Sequence, residues 1–470
     1  MIRRTRHPAL GPLCALIAAA CWSESLGVAP QAAPTIDAAS VAANPHNVLS
    51  AVVTVGVRGA DSVAVRFRVA GTAAADSVTP AVGVVGDSAA VPVLGLFAAQ
   101  RYVMRAVAHR AGTTTVGSPL EFTTDTLPSD LPAYVAGGSD PAPGYVVFAA
   151  GRYGLAIDNT GRVVWYRHFP NGPGLTFMAQ PVGRYFARPN PPLPTDDAPW
   201  VELDPLGDIT RTFGCAARMP ARFHDLIARP DGTYWLLCDD TRRMDLSAFG
   251  GVFDARVTGT AVQHISTEGA LLFQWSSFDH FAITDVDPRD RAGPNVNWTH
   301  GNALDLTTDG GLIVSFRNLG EITKIDTATG AVIWRLGGRR NQFALLDMPA
   351  VPFVAQHSAR SYGSGSLLLL DNLGAPGESR AERYALDEVS RTARLVRSYG
   401  SLPGVVTEIG GSVEDLPGGH TLVSFGTAGR VQEYNSAGSV VWRIERNAGY
   451  VFRAQRIRSL YAPGIAEISR

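Results

Sequence analysis

Short apolar runs recur along most of the chain, each closed by Gly, Asp or Asn. The clearest set lies between Trp298 and Gly338, where Ala303–Leu306, Leu312–Phe316 and Ala331–Trp334 bracket an alternating run, Glu321–Ile325. Runs this short with turn residues at every gap predict a four-stranded antiparallel meander. Its ending, a Gly followed by apolar residues and Trp, recurs at Gly161–Trp165, Gly330–Trp334 and Gly438–Trp442, and more weakly at Gly269–Trp275. The turn that precedes it recurs at Asp231-Gly232, Asp309-Gly310 and Gly418-Gly419. Units of roughly 40 to 60 residues with several short strands each predict a β-propeller. About six blades are counted on this pattern, starting near Tyr145, Leu175, Phe223, Thr299, Ala355 and Gly411. The strand-like tail Tyr450–Leu460 would complete the first blade and leave no open edge. A β-solenoid or a pair of sandwiches is the competing reading of such repetition.

Ahead of the repeats, residues 34–126 alternate strongly and are rich in Val, Ala, Thr and Ser. Val52–Val57, Val63–Val69, Tyr102–Ala108 and Leu120–Thr123 read as strands of an immunoglobulin- or fibronectin-like β-sandwich. Leu127–Pro132 reads as a stiff linker, and the propeller is expected over 131–470. The fold class is therefore all-β.

Composition agrees: Gly 49 and Pro 31 are high, and no long helix-period segment is present. The formal net charge of −1 gives no basic surface to follow a phosphate backbone, so nucleic acid is not an expected partner. Residues 1–21 pair a basic start, Arg3, Arg4 and Arg6, with a short apolar run, which reads as an export signal too short to span a membrane. Cleavage after Ala20 would leave Cys21 as a lipidated first residue and place the protein on a membrane. A plain secretory signal with a periplasmic product is the alternative. Cys215 and Cys238 remain as an even pair in an oxidising compartment, which reads as a disulfide.

Aligning the units on their turns brings polar residues to one register. His224 lies 7 before Asp231 and Asn302 lies 7 before Asp309, while Ser412 precedes Leu416 by the 4 that separates Asn302 from Leu306. His357 precedes the equivalent run Leu367–Leu370. His300 sits two before Asn302 on the same strand face, and Arg317 ends the next run. Equivalent positions in a propeller ring one axis, so these side chains should meet in one funnel. Three imidazoles with a guanidinium, an amide and a hydroxyl suit transfer of an anionic group to a His nucleophile. A tri-His metal site is the other chemistry such a set permits. No nucleotide-binding G-x-x-x-x-G-K-(S/T) loop occurs. Asp371, Arg380 and Glu382 read as an ion network stapling a blade. The recurring Trp residues read as core.

At these residues the chain resembles the arylsulfate sulfotransferase (ASST) family, whose members need no nucleotide sulfate donor such as PAPS. The carrying motifs are His300–Asn302, Ser315–Arg317, Val332–Gly338 and Gln356–Arg360, with Leu370–Asn372, Ser379-Arg380 and Glu433-Tyr434 beside them. The resemblance implies a six-bladed propeller behind an N-terminal sandwich, with no cofactor and no metal. It implies transfer of a sulfuryl group from an aryl sulfate to a phenol through a sulfated histidine. His357 would be that nucleophile; His300, Asn302 and Arg317 would hold the sulfuryl oxygens, and His224 would flank them as donor or proton shuttle. Ser412 stands where the family has a threonine, with Thr427 the other candidate for that substrate contact. A homodimer is the family-level assembly, with no surface here to map it on. Two other function classes compete: a non-catalytic exported propeller binding a small molecule or protein, and a metal-dependent hydrolase or lyase.

Overall fold

A computed structural model describes residues 32–193, 198–363 and 365–464; the expected export signal, with Cys21, lies outside them. Residues 35–123 form two facing sheets. One holds Thr35–Ala43, Ser50–Arg58 and Ser88–Leu94; the other is built on Ser62–Val69 and Arg101–Arg110 with four shorter strands. Alternation explains the pairing. In Ser50–Arg58 the residues Val53, Val55 and Val57 turn inward onto Val63, Val65, Val91, Val93 and Met104.

From residue 136 onward the described chain forms six sheets of four or five strands, in sequence order. Their first strands are Tyr145–Ala150, Phe177–Gln180, Ala221–Ala228, Gly301–Leu306, His357–Tyr362 and Ser412–Leu416, each within four residues of the expected start. Two closures tie the ends. Ala454–Ile457 pairs with Tyr145–Ala150 as the innermost strand of the first sheet. Ala136–Gly138 pairs with Val440–Ile444 at the outside of the sixth, a strand that the sequence pattern does not show.

The innermost strands touch in a ring. Gln455 Oε1 accepts from Ala179 N, Gln180 donates to Leu226 O, and Asp225 accepts from Leu304 N. Asp305 then accepts from Ser361 N, Ser358 Oγ from Val413 N, and Glu414 from Arg456 N, which closes the circle. Trp165, Trp334 and Trp442 are fully buried between neighbouring sheets. Each such indole contributes roughly 4–6 kcal/mol of apolar burial as an upper bound. Asp371, Arg380 and Glu382 do not form the expected single network. Asp371 accepts backbone N–H groups of Val354 and Gly374, Arg380 pairs with Glu378, and Glu382 meets the Tyr384 hydroxyl.

Candidate active site

Three consecutive sheets and the closing segment deliver their polar tips to one basin at the ring's axis. His224 comes from Ala221–Ala228, a strand bracketed by the Cys215–Cys238 disulfide. His300 and Asn302 come from the start of Gly301–Leu306, and His357 opens His357–Tyr362. The rings of His224 and His357 flank one buried ring, Phe452, at 5.7 and 6.0 Å. His300 Nε2 lies 3.2 Å from His224 Nε2. Asn302 donates to the carbonyl of Gln356, the residue before His357, at 2.7 Å. Arg317 reaches the carbonyl of Glu408 at 3.2 Å, two residues before Gly410, whose N–H faces His357 Nε2 at 3.3 Å.

The backbone is strained where the histidines leave it. His300 sits at φ 52°, and Ala355 and Ser358 around His357 sit at 54° and 58°. A left-handed non-glycine residue costs of order 1–3 kcal/mol and persists only where its surroundings enforce it. Here the enforcing contacts hold His357 itself. Its Nδ1 lies 2.8 Å from Asn372 Oδ1 and 3.0 Å from Ala355 O.

All three imidazoles are kept neutral. Burial foremost, with Arg222 and Arg317 adding to it, pushes His300 down to about 2. Burial, opposed by the Asn372 hydrogen bond and reinforced by Arg317, takes His357 to about 4. His224 is held well below the ordinary value by burial and by the neighbouring His300 and Arg222. Arg317 has no carboxylate within ion-pair distance among the described residues; its guanidinium meets only Asn318 Oδ1 and the Glu408 carbonyl. Neutral rings beside an unpaired cation make a pocket that favours an anion.

Several atoms of the basin are buried without a partner: His224 Nδ1, Asn302 Oδ1 and the Tyr450 hydroxyl. Ser412 is otherwise engaged. Its hydroxyl donates to Ala454 O and accepts from Ala454 N, at 3.2 and 2.9 Å, which leaves no proton to donate to a sulfuryl oxygen. Thr427 is exposed at the rim, 3.0 Å from the Thr407 hydroxyl. Among the described residues no three His, Cys, Asp or Glu side chains are grouped closely enough to hold a metal ion. The spacing argument missed Arg222, Phe223, Asn372, Tyr450 and Phe452. Arg222 and Phe223 directly precede His224, so the flanks of that histidine were the available signal. Phe223 stacks on His224 at 4.2 Å.

Residues 217–447 match the family described as "Arylsulfotransferase (ASST)". No curated protein matches the chain. Among solved structures, a protein of unknown function from Bacteroides caccae is 14% identical, with 68% of this chain and 100% of that one covered and a TM-score of 0.44. Virginiamycin B lyase from Staphylococcus aureus is 12% identical over 67% of this chain and 85% of that one, with a TM-score of 0.37. A regucalcin from Agrobacterium tumefaciens is 13% identical over 72% and 95%, with a TM-score of 0.34. Across residues 217–447, which carry every histidine, amide and guanidinium singled out by the repeat register, the chain belongs to the arylsulfotransferase (ASST) family.

Proposed function

We propose that this protein is an aryl sulfotransferase that moves a sulfuryl group from a phenolic sulfate ester to a phenol through a sulfated His357. The observation that carries the reading is a neutral, buried His357 in one basin with an unpaired Arg317. In the first half-reaction the lone pair of His357 Nε2 attacks sulfur in line. The S–O bond to the aryl group breaks, and the aryloxide leaves with the electron pair. Arg317, Asn302 and His300 donate to the sulfuryl oxygens, whose charge is spread in the transition state. In the second half a phenol takes the sulfuryl group, returning the electron pair to Nε2, and its proton passes along the His224–His300 pair to solvent. Phenols titrate near 10, so one well-placed base makes them usable nucleophiles. On this reading the ring is a six-bladed propeller spanning about residues 131–470, and the sheets of 34–126 are an immunoglobulin-like module. The protein would act after export, in the periplasm or anchored through Cys21.

The test is intact-mass analysis after mixing with nitrophenyl sulfate and no acceptor. One retained sulfuryl group, mapping to His357 and missing from His357→Asn, is the expected result. Nitrophenol release by His357→Asn at the wild-type rate would sink the assignment.

A further inference from the structure

We infer that Asn372 is the positioning residue that makes His357 a nucleophile, by fixing which ring nitrogen bears the proton and by setting the Gly410 amide beside the reacting one. The inference rests on the reading of His357 given above. It starts from the orientation of the Asn372 side chain. Asn372 Nδ2 lies 2.9 Å from both the Thr407 and the Gly410 carbonyl oxygens. Carbonyl oxygens only accept, so the amide cannot be turned over, and Oδ1 must face His357. The nitrogen it faces, Nδ1, also faces the Ala355 carbonyl. Two acceptors on one side leave a single consistent arrangement: Nδ1 carries the proton and Nε2 the lone pair.

The backbone agrees with that assignment. Gly410 N–H points at Nε2 from 3.3 Å, a bond that only a lone pair can accept. The same Asn372 holds the Gly410 carbonyl, so one side chain sets both the tautomer and the amide opposite it. Asn372 is itself pinned, since its carbonyl accepts from Ser379 Oγ and Ser379 Oγ accepts from Thr407 N, both at 2.7 Å. Gly410 sits at φ 70°, and a Cβ there would lie 2.6 Å from the Tyr450 hydroxyl, so the loop fits only as glycine.

The chemistry follows with its charges balanced. As the N–S bond forms and the S–O bond breaks, the Nδ1 proton stays in place and the imidazole becomes cationic. Asn372 Oδ1 and Ala355 O already lie against that proton and stabilise the charge. The Gly410 amide, released from the consumed lone pair, stands next to the incoming sulfuryl oxygens.

The experiment reads the ring directly. In protein carrying nitrogen-15 histidine, two-bond proton–nitrogen correlation separates the two neutral tautomers, and the His357 signals are those absent from His357→Asn. The wild type should show the proton on Nδ1 alone; in Asn372→Leu, with Ala355 O as the one remaining acceptor and the Gly410 loop no longer anchored, signals of the Nε2-protonated tautomer should appear. Sulfuryl uptake by Asn372→Leu should fall about 10²- to 10⁴-fold, with little change in half-saturating aryl sulfate. Asn372→Asp keeps an oxygen on Nδ1–H, so it should retain the wild-type tautomer and shift the acid limb of uptake upward. A wild-type proton on Nε2 would overturn the proposal without any variant, as would an unchanged tautomer in Asn372→Leu. The Nε2-protonated tautomer in Asn372→Leu with uptake at the wild-type rate would instead remove His357 as the nucleophile, and the catalytic claim for Asn372 with it.

Discussion

Two tiers of polar side chains lie around the ring, and they are built on opposite electrical terms. The lower tier is paired. Asp225 meets Arg360 at 2.9 Å and Arg453 at 3.2 Å, and Glu433 meets Arg456 at 2.6 Å, all of them buried or nearly so. Glu414, beside them, is pushed up to about 8 by burial and so stays protonated at neutral pH. The upper tier holds His224, His300 and His357 as neutral rings beside Arg317, a cation without a carboxylate. One tier spends its charges on itself and fastens the ring. The other leaves positive charge and unpartnered polar atoms for something that arrives. A buried ion pair says little about chemistry, whereas an unpaired cation next to neutralised bases says a good deal.

The comparison breaks first at Asp225. Asp225→Asn keeps the shape and leaves Arg360 and Arg453 buried without their carboxylate, so stability should fall by about 3–5 kcal/mol. Denaturant midpoints measure it, and the folded fraction should still take up sulfuryl groups. Arg317→Met should do the reverse. Losing one preorganised donor at the developing charge costs about 10²- to 10³-fold in kcat/KM, while the midpoint should move by no more than about 0.5 kcal/mol. Equal damage to stability from both variants would erase the distinction between the tiers.

The acid limb of sulfuryl uptake sharpens it further. Protonating Nε2 removes the nucleophile, so the limb reports the pKa of His357. Burial and Arg317 disfavour the imidazolium and lower that value from 6.5 to about 4. Uptake should therefore hold through the pH range where an ordinary imidazole is already charged, and decline only toward about 4. In Arg317→Met, with the nearby cation gone, the limb should rise. A limb at the ordinary imidazole value in the wild type would mean that His357 is not held neutral by its surroundings.

How much of this was legible follows from what each signal encodes. Turn spacing fixed the first strands of the sheets, because a two-residue period with Gly or Asp at each gap leaves little freedom of register. The same spacing put His224, Asn302 and His357 in one tier. It also put Ser412 there, correctly for the backbone, yet register cannot show that its hydroxyl is taken by Ala454, which arrives 42 residues later. Phe452 and Arg453 fell inside the expected tail strand, but alternation names a face and not what that face meets. Ala136–Gly138 carries too little pattern to be seen. Thr35–Ala43 and Ser88–Leu94 are rich in Ala and Ser, and so escaped a reading based on Val and aromatic runs. The lower tier went unread because its ion pairs join strands of different sheets.

The smallest expected effects come from the two hydroxyls at issue for the family's threonine position. Ser412 supplies both hydrogen bonds that Ala454 receives from the neighbouring sheet. Ser412→Ala strands a buried backbone donor and acceptor, which costs about 1–3 kcal/mol, and it should leave the half-saturating concentrations of donor and acceptor where they were. Thr427 is exposed, and its side chain meets only Thr407. Thr427→Val should move the midpoint by no more than about 0.5 kcal/mol. Because Thr427 stands over the loop that carries Gly410, its backbone N–H donating to Ile409 O, its effect should fall on the acceptor half-reaction as a few-fold rise in the phenol concentration needed. The opposite result, a kinetic defect in Ser412→Ala with stability intact, would return Ser412 to the basin and move the boundary between the tiers one residue lower.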